Sequence, residues 1–516
     1  MAAGKNLLAF LRYQSRVNNH RNDLKGISQM RGFLAAARDQ LKLALAIRSL
    51  LPPRPGDLEA RAKAKEERFR NLLRYAYDNS PYYRKRFQGI DLKTCAITDL
   101  PTLTKVAMMA NLDDIFTDRD LRRADIERFM ADPANIGAYY KDKFAVCHTS
   151  GSQGQPAIIV QDKPAILTTF AAQFARGKKV SRRFLPHLQR LFNPARFSII
   201  TQKPGFYPSS TFFNYFPERA RRFLKLQRLS VFDPPEVLVQ KLNEFQPNFI
   251  TGYTSALETI TRELQAGRLK LSGDLEQMTN ISEPLPEPIA QRVENAFGVH
   301  ITNVYSMAEC MALTCGCQTT HGSHLNDELA FLEVVDANGK PVPDGTPGSK
   351  VLLTNLYNMA QPIIRYEIDD IVTISATPCE CGSLLPLVKA VQGRSKDQFW
   401  VNVNGEIRDL PYYVFLLALH NETKLAEHQF LQTGVNRFVL RAAPLPGQTL
   451  SAEKLRQYIQ QSVTTEGLAN VIHFDIEVVD RILPEESGKV RRAKNIFGPP
   501  PASPSVLEGV QTAEIR

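Results

Sequence analysis

The segment Thr149-Ser150-Gly151-Ser152-Gln153-Gly154 places three hydroxyl side chains and two glycines in six consecutive positions. Glycine lets backbone N–H groups turn toward an anion, and the hydroxyls add donors, so the segment suits phosphate. It is not a Walker loop, because no Gly-Lys-Ser/Thr follows, and the Gly-x-Ser-x-Gly of a nucleophile elbow is absent. A polar surface turn has the same composition, so the segment alone leaves both readings open. A second group with chemical potential is Cys315, Cys317, His321 and His324, joined further along by Cys379 and Cys381. Four-coordinate zinc takes such ligands, and closed sites of three cysteines and one histidine are common. Cys317, His324, Cys379 and Cys381 are the first choice, with Cys315 and His321 as replacements. Buried free thiols are the competing reading. Five of the seven cysteines fall between Cys310 and Cys381, and this odd, clustered set argues against a secreted disulfide framework.

A chain of 516 residues exceeds one ordinary core, so two or three domains must position these groups. With 43% hydrophobic and 23% charged residues, the composition is that of a globular protein. No apolar run approaches the roughly 20 residues of a spanning helix, and no secretory leader is recognisable, which predicts a cytoplasmic protein without a membrane span. The net charge of +11 favours polyanionic partners such as nucleotides or coenzyme A, though general solubility also accounts for it. Nucleic acid is not expected as a partner, because no ribonucleoprotein pattern or zinc finger of the required spacing is present. Residues 1–50 carry nine Lys/Arg against Asp23 and Asp39. Their helical spacing predicts docking onto the body of the protein, with a partner or a membrane surface as alternatives.

Along the chain, residues 1–90 read mostly as helix. Phe69, Leu72, Leu73 and Ala76 follow the i, i+3, i+4, i+7 pattern of one buried stripe. From about residue 143, strand-like runs (FAVCHT, FSIIT, NFITGY, VHITNVY) alternate with helix-like ones (PPEVLVQKLNEF, TSALETITRELQAG), which predicts an α/β sheet. Residues 340–375 read as β-structure. Beyond Gly393–Asp397 comes a segment of mixed strands and helices suited to a small α+β domain, and the Pro/Ser-rich end reads as a disordered tail.

The glycine-rich segment has companions in a fixed order: Ser282-Glu283-Pro284, VYSMAE at 304–309, IIRYEIDD at 363–370, GRSKD at 393–397 and PEESGKVRR at 484–492. This series resembles the adenylate-forming superfamily of acyl-CoA synthetases and adenylation domains, over about residues 70–495. LLRYAYDNSPYYRKRF, ITDLPTLTK and QPIIRYEIDD narrow the resemblance to the phenylacetate–CoA ligase family. It implies an α/β fold with a large adenylation domain of layered sheets and helices and a small mobile α+β C-terminal domain. The divisions expected are a helical region at 1–92 packing on the core, the adenylation core at 93–395, the small domain at 396–498 and the tail at 499–516.

The chemistry implied is attack of a carboxylate on the α-phosphorus of ATP, giving acyl-AMP and pyrophosphate, followed by acyl transfer to a thiol. ATP, Mg²⁺ and coenzyme A as co-substrate follow from the resemblance, with structural zinc added by the cysteine cluster. Both reactants are anionic, so the site must neutralise charge and align the groups. By the resemblance, residues 149–154 hold the β- and γ-phosphates and Glu309 binds Mg²⁺. Asp370 accepts the ribose hydroxyls and Arg394 adds a donor. Tyr305 flanks adenine beside Ser306, and Ser282, Glu283 and Pro284 line the base pocket. Lys489 bridges the substrate carboxylate and the α-phosphate, and Lys396 is the hinge about which the small domain swings. Tyr253 is the candidate wall of the acid pocket, although core packing explains it equally well. Gln153, Ser306 and Glu367 depart from the usual family residues, Gln153 keeping its hydrogen-bonding capacity. An amine or a carrier-protein thiol in place of coenzyme A, a nucleotide-binding protein without turnover, and association as a homodimer all stay open at this level.

Overall fold

The computed structural model describes residues 41–498 apart from 52–54, 150–155, 177–193, 203–204, 216–223, 395–398, 411–414, 416–417, 420–421, 423, 446, 466 and 486–488. The basic residues 1–40, most of the glycine-rich segment, the hinge position Lys396 and the tail lie outside the described residues.

The first long helix, α1 (Leu58–Asn79), buries the stripe expected of it: Phe69, Leu72, Leu73 and Ala76 are all within 2% of full burial. Each fully buried leucine of this kind contributes roughly 1.5–3 kcal/mol. The helix stops at Ser80 because Pro81 drives the preceding residue into extended backbone (φ −110°, ψ 117°). The Ser80 hydroxyl then caps the next short helix by accepting from the Tyr83 N–H at 3.4 Å. Tyr83 donates its phenol to the carbonyl of Pro362 at 2.9 Å. Leu103 pairs with Tyr366 in a short parallel bridge, its N–H donating to Arg365 O and its carbonyl accepting from Glu367 N–H, both at 2.9 Å. Two stretches far apart in sequence, around LPTLTK and PIIRYEIDD, are thus one structural unit. Arg365 completes it with donations to the Thr98 and Leu100 carbonyls and a two-point contact to Glu333.

Strands β1 (Phe144–His148) and β2 (Ile158–Asp162) form an antiparallel hairpin whose connection carries the glycine-rich segment. Helix α2 (Lys163–Arg176) follows directly. The central layer is a parallel sheet of β3 (Ala195–Thr201), β4 (Leu224–Ser230), β5 (Phe249–Gly252), β6 (Gln277–Ile281) and β7 (Ile301–Val304), in the order β4-β3-β5-β6-β7. Its crossovers include α3 (Pro235–Phe245), α4 (Thr254–Gln265) and α5 (Glu287–Phe297). The strand–helix alternation read from the sequence is therefore the observed one.

Next come β8 (Thr314–Gly316), β9 (Ser323–Leu325), β10 (Ala330–Val335), β11 (Lys350–Asn355), β12 (Tyr366–Ile368), β13 (Asp370–Ser375) and β14 (Leu387–Arg394). They make one sheet of order β10-β11-β12 and a second of order β13-β14-β9-β8. After the junction, β15 (Phe399–Val403) and β16 (Glu406–Leu410) form a hairpin. A sheet of order β19-β18-β17-β20 follows, from β17 (Leu425–Gly434), β18 (Arg437–Pro444), β19 (His473–Val478) and β20 (Ala493–Asn495), packed on α6 (Ala452–Thr465). Among the described residues, the hydrophobic cluster built on Phe399, Phe415, Phe430 and Phe438 lies wholly beyond residue 398, and the other clusters lie wholly before it. The chain has separate cores on either side of residues 395–398. No helix is long and apolar enough to cross a membrane among the described residues.

Candidate active site

In an open parallel sheet, ligands collect at the carboxyl ends of the strands. Here β5, β6 and β7 deliver Tyr253, Ser282-Glu283-Pro284 and Tyr305 to one edge, with Ile281 and Val304 in register. Ser282 sits in the left-handed region at φ 66°, a conformation that costs a non-glycine residue energy and that its neighbours must enforce. They do so through Asn280, whose amide donates to the Glu283 carbonyl at 2.8 Å, and Thr254, whose hydroxyl lies 2.8 Å from the Pro284 carbonyl.

Tyr305 donates its phenol to Asp370 Oδ2 at 2.8 Å. Its backbone is held from both sides by Thr314, whose hydroxyl oxygen accepts from Tyr305 N–H at 3.0 Å and donates to Tyr305 O at 2.8 Å. Asp370 opens β13 and is the direct cross-strand partner of Arg394 at the end of β14. Tyr305, Asp370 and Arg394, far apart in sequence, thus share one corner of the fold. Glu367 turns elsewhere, to Lys350 at 3.0 Å across β11 and β12. Burial pushes its carboxyl up, but hydrogen bonds from Thr102 and Lys350 outweigh this and hold it below its ordinary range.

Glu309 follows Ser306 on a tight turn closed by Cys310 N–H donating to Met307 O at 3.0 Å, and its carbonyl accepts from the Asn355 amide at 2.8 Å. The side chain is buried, and its charge is felt by two thiols. Cys147 and Cys310 are both raised first by burial and then by Glu309, Cys310 to about 12. Cys147 lies two residues before Thr149, so Glu309 stands at the base of the glycine-rich connection. Thr149 closes that base: its N–H donates to Ala157 O at 2.9 Å and its hydroxyl oxygen accepts from Ala157 N–H at 3.0 Å. Ser150, Gly151, Ser152, Gln153 and Gly154 lie outside the described residues.

Glu283 does something the sequence did not suggest. Its carboxylate accepts from Ser255 N–H at 2.8 Å, at the start of α4, and from the Ser255 hydroxyl at 3.1 Å. It also accepts from the N–H of Val490, in the small domain, at 2.8 Å. Burial pushes its carboxyl above the ordinary range, against the pull of these donors and of Arg492. Along the same face of α4, Glu258 pairs with Arg492, and Arg262 donates to Ala426 O at 2.9 Å. The spacing 255, 258, 262 is one helical face, and it is the face against which the small domain docks. The only sequence signal was a charged helix face, which ordinarily means a solvated one. Lys489 precedes Val490, and its carbonyl accepts from Glu485 N–H at 3.0 Å.

Tyr253 is fully buried in the cluster around Ile250 and Leu257, with its phenol oxygen 3.3 Å from Ser209 Oγ. Burial raises its phenol well above the ordinary range.

The ligand-type atoms of Cys317, His324, Cys379 and Cys381 all lie within 4.8 Å of one another. Cys317 and Cys379 sulfurs are 3.7 Å apart, and His324 Nε2 is 3.2 Å from Cys381 Sγ. His324 Nδ1 lies 3.2 Å from the Leu385 carbonyl, which orients the ring and turns Nε2 toward the sulfurs. Burial pushes the Cys317 thiol up, yet hydrogen bonds from His324, Thr319 and Thr320 outweigh it and pull the thiol down to about 4. Burial raises Cys381, beside it, to about 12. A thiolate among thiols and one aimed imidazole is a donor set that fits zinc. Of the two alternatives, Cys315 turns its sulfur to the His324 carbonyl, 3.7 Å away, and His321 points instead at Glu287 and Glu294.

The model of the AMP-binding enzyme family matches residues 118–355. A phenylacetate-coenzyme A ligase of Thermus thermophilus is 25% identical over 347 residues, covering 64% of this chain and 70% of that protein. A phenylacetate-coenzyme A ligase of Aromatoleum evansii is 25% identical over 366 residues, covering 67% of this chain and 74% of that protein. Among solved structures, 2-hydroxyisobutyryl-CoA ligase in the postadenylation state superposes with a TM-score of 0.62 at 19% identity, covering 84% of this chain and 89% of that one.

Proposed function

Because the chain belongs to the adenylate-forming superfamily, in its phenylacetate–CoA ligase family, we propose that it is an AMP-forming ligase that couples a carboxylic acid to coenzyme A at the expense of ATP. The observation that carries this is the hydrogen bond between Val490 N–H and Glu283. It holds the residue that follows Lys489 against the strand ends that supply Ser282 and Tyr305, which supports a role for that lysine beside the base-side loops.

In this assignment the Asp370 carboxylate takes the ribose hydroxyls, oriented by the Tyr305 phenol, and Arg394 stands beside it. The connection 149–154 holds the outer phosphates on a base tied by Thr149. Glu309 would hold Mg²⁺ there. Its carboxylate is buried at the base of that connection, close enough to raise the Cys147 thiol, which fits that role. The bound ion would offset phosphate charge. The ammonium of Lys489 draws the acid's carboxylate and the α-phosphate together as charge passes from one to the other. The carboxylate oxygen bonds to the α-phosphorus as the bond to pyrophosphate breaks. The coenzyme A thiol, having lost its proton, then displaces AMP from the acyl carbon. Lys396 is the proposed pivot for withdrawing Lys489 between the halves, and a cytoplasmic location fits these substrates.

Cys317, His324, Cys379 and Cys381 are proposed as a closed zinc site. When bound, zinc supplies a structural cross-link between the loop after Glu309 and the β13–β14 connection.

A panel of aryl and aliphatic carboxylic acids in a pyrophosphate-release assay tests activation. Comparing coenzyme A, a holo-carrier protein and amines as acceptors then identifies the product. Turnover with at least one acid and coenzyme A is expected, and release of no pyrophosphate with any acid would defeat the proposal.

A further inference from the structure

The loop carrying Cys317 has a second group of ligand-type side chains on its other flank. Glu294 of α5, His300 just before β7 and His321 bring a carboxylate oxygen and two ring nitrogens within 4.8 Å of one another. Glu294 Oε1 lies 2.6 Å from His300 Nδ1 and 3.0 Å from His321 Nε2. The two imidazoles are stacked, with centroids 5.3 Å apart and planes at 20°.

The outer nitrogen of each ring also faces an acceptor. His300 Nε2 is 3.2 Å from the Cys317 carbonyl, and His321 Nδ1 is 2.7 Å from Glu287 Oε2. With an ion held between the rings, these acceptors keep the ring protons on the outer nitrogens. The inner ones, His300 Nδ1 and His321 Nε2, then present lone pairs toward one carboxylate oxygen. Filling both inner contacts with protons would stack two imidazolium cations face to face. One divalent ion takes both lone pairs and the carboxylate with the same total charge, and without two cations in contact.

We propose that Glu294, His300 and His321 form a second divalent-metal site, distinct from the cysteine site, that takes zinc or another borderline ion such as cobalt or nickel. Two imidazoles and one carboxylate suit these ions and not calcium or magnesium, which prefer all-oxygen shells. The ligand side chains are 14–28% exposed, so an ion enters from solvent and water completes its coordination. Glu287 is the outer partner that orients His321. The ion would tie the α5–β7 junction to the loop that supplies Cys317.

The test uses the full-length protein, stripped with chelator and dialysed against zinc alone, with metal counted per chain. The wild type is expected to hold a second zinc beyond the cysteine-bound one, and His300→Ala/His321→Ala to lose it. Cys379→Ser/Cys381→Ser should keep the histidine-bound ion, so a failure of the cysteine site is told apart from a failure of this one. With cobalt alone, the thiolate charge-transfer band should survive in the histidine variant while one ion is lost. Glu294→Gln, which keeps the side-chain shape, should weaken that ion's binding at least about tenfold and serves if the double variant fails to fold. Unchanged zinc stoichiometry and affinity in both Glu294→Gln and the histidine variant would overturn the proposal. So would a wild type whose single ion disappears in the cysteine variant.

Discussion

Replacing Lys489 by alanine should slow adenylation by about 10²–10³-fold, equivalent to about 2.7–4 kcal/mol, the range for removing one preorganised donor from a developing charge. The structure says why this change isolates the ammonium. The loop is held by backbone groups on either side of the side chain: Glu485 N–H donates to Lys489 O at 3.0 Å, and Val490 N–H donates to Glu283 at 2.8 Å. Both contacts are made by backbone groups that alanine retains, so the small domain should stay docked. In the proposed cycle Lys489 is withdrawn for the second half-reaction, so thioester formation from supplied acyl-adenylate and coenzyme A should stay within about twofold of wild type, the scale of a surface change. Pyrophosphate release with hydroxamate trapping reads the first half, and consumption of synthetic acyl-AMP reads the second. Equal loss in both halves would mean that the substitution disrupts the fold or the docking. No loss in the first would mean that Lys489 does not enter the site, and either result refutes the reasoning.

Glu283→Gln keeps one acceptor oxygen but turns an amide toward Ser255 or Val490, leaving a donor facing a donor. Loss of such a hydrogen bond costs about 1–3 kcal/mol, so the adenylation half should fall roughly 5–150-fold with the thioester half spared, as the same two assays will report. Asp370→Asn should raise the KM for ATP more than it lowers kcat, measured against ATP concentration at saturating acid, since the Tyr305 phenol keeps an acceptor while the ribose loses a charged one. Glu328 is buried with Arg176 and Arg61, and although burial alone would raise its carboxyl, Arg176 pulls it below 4.5. Its contribution is therefore complete above the ordinary carboxylate pKa and disappears as pH falls through the depressed value. Glu328→Gln should destabilise by about 3–5 kcal/mol at neutral pH, and the gap to wild type should close in denaturant titrations run at increasing acidity.

The alternation of strands and helices from residue 143 was legible because buried strands and amphipathic helices carry different periods, and α1 was legible down to its four buried residues. The candidate site was read as an ordered series of motifs, and the fold brings three of their residues, Tyr305, Asp370 and Arg394, to one corner. What could not be read were contacts made by residues whose chemistry is generic. Glu283 sits in a motif expected to line a base pocket, yet its carboxylate spans two domains. His321 was weighed as a ligand of the cysteine site because it lies in the same short Cys/His-rich segment, with three residues between it and Cys317. A loop of that length can turn either way, and it turns toward Glu294. The partnership of LPTLTK with PIIRYEIDD is invisible to any local pattern, since it rests on a backbone bridge between residues some 260 positions apart.

The contacts joining the two domains bear on how one chain serves two half-reactions. An interface meant to last buries apolar surface, and here the hydrophobic clusters stop on either side of residues 395–398. Among the described residues the crossings include polar contacts: Val490 N–H to Glu283, Arg492 to Glu258, and Arg262 to the Ala426 carbonyl. Groups of this kind exchange protein partners for water at a net cost of about 0.5–1.5 kcal/mol per hydrogen bond, whereas separating a sealed apolar seam forfeits its whole buried area at once. His428 lies buried at this seam, and burial followed by Arg492 and Arg292 holds its imidazole well below the ordinary range. A neutral ring there adds no third cation beside Glu258. A docking face assembled from one helix of the large domain, with a carboxylate at its N-terminus and charges along its side, suits the proposed cycle, in which Lys489 is seated for one half-reaction and released for the other.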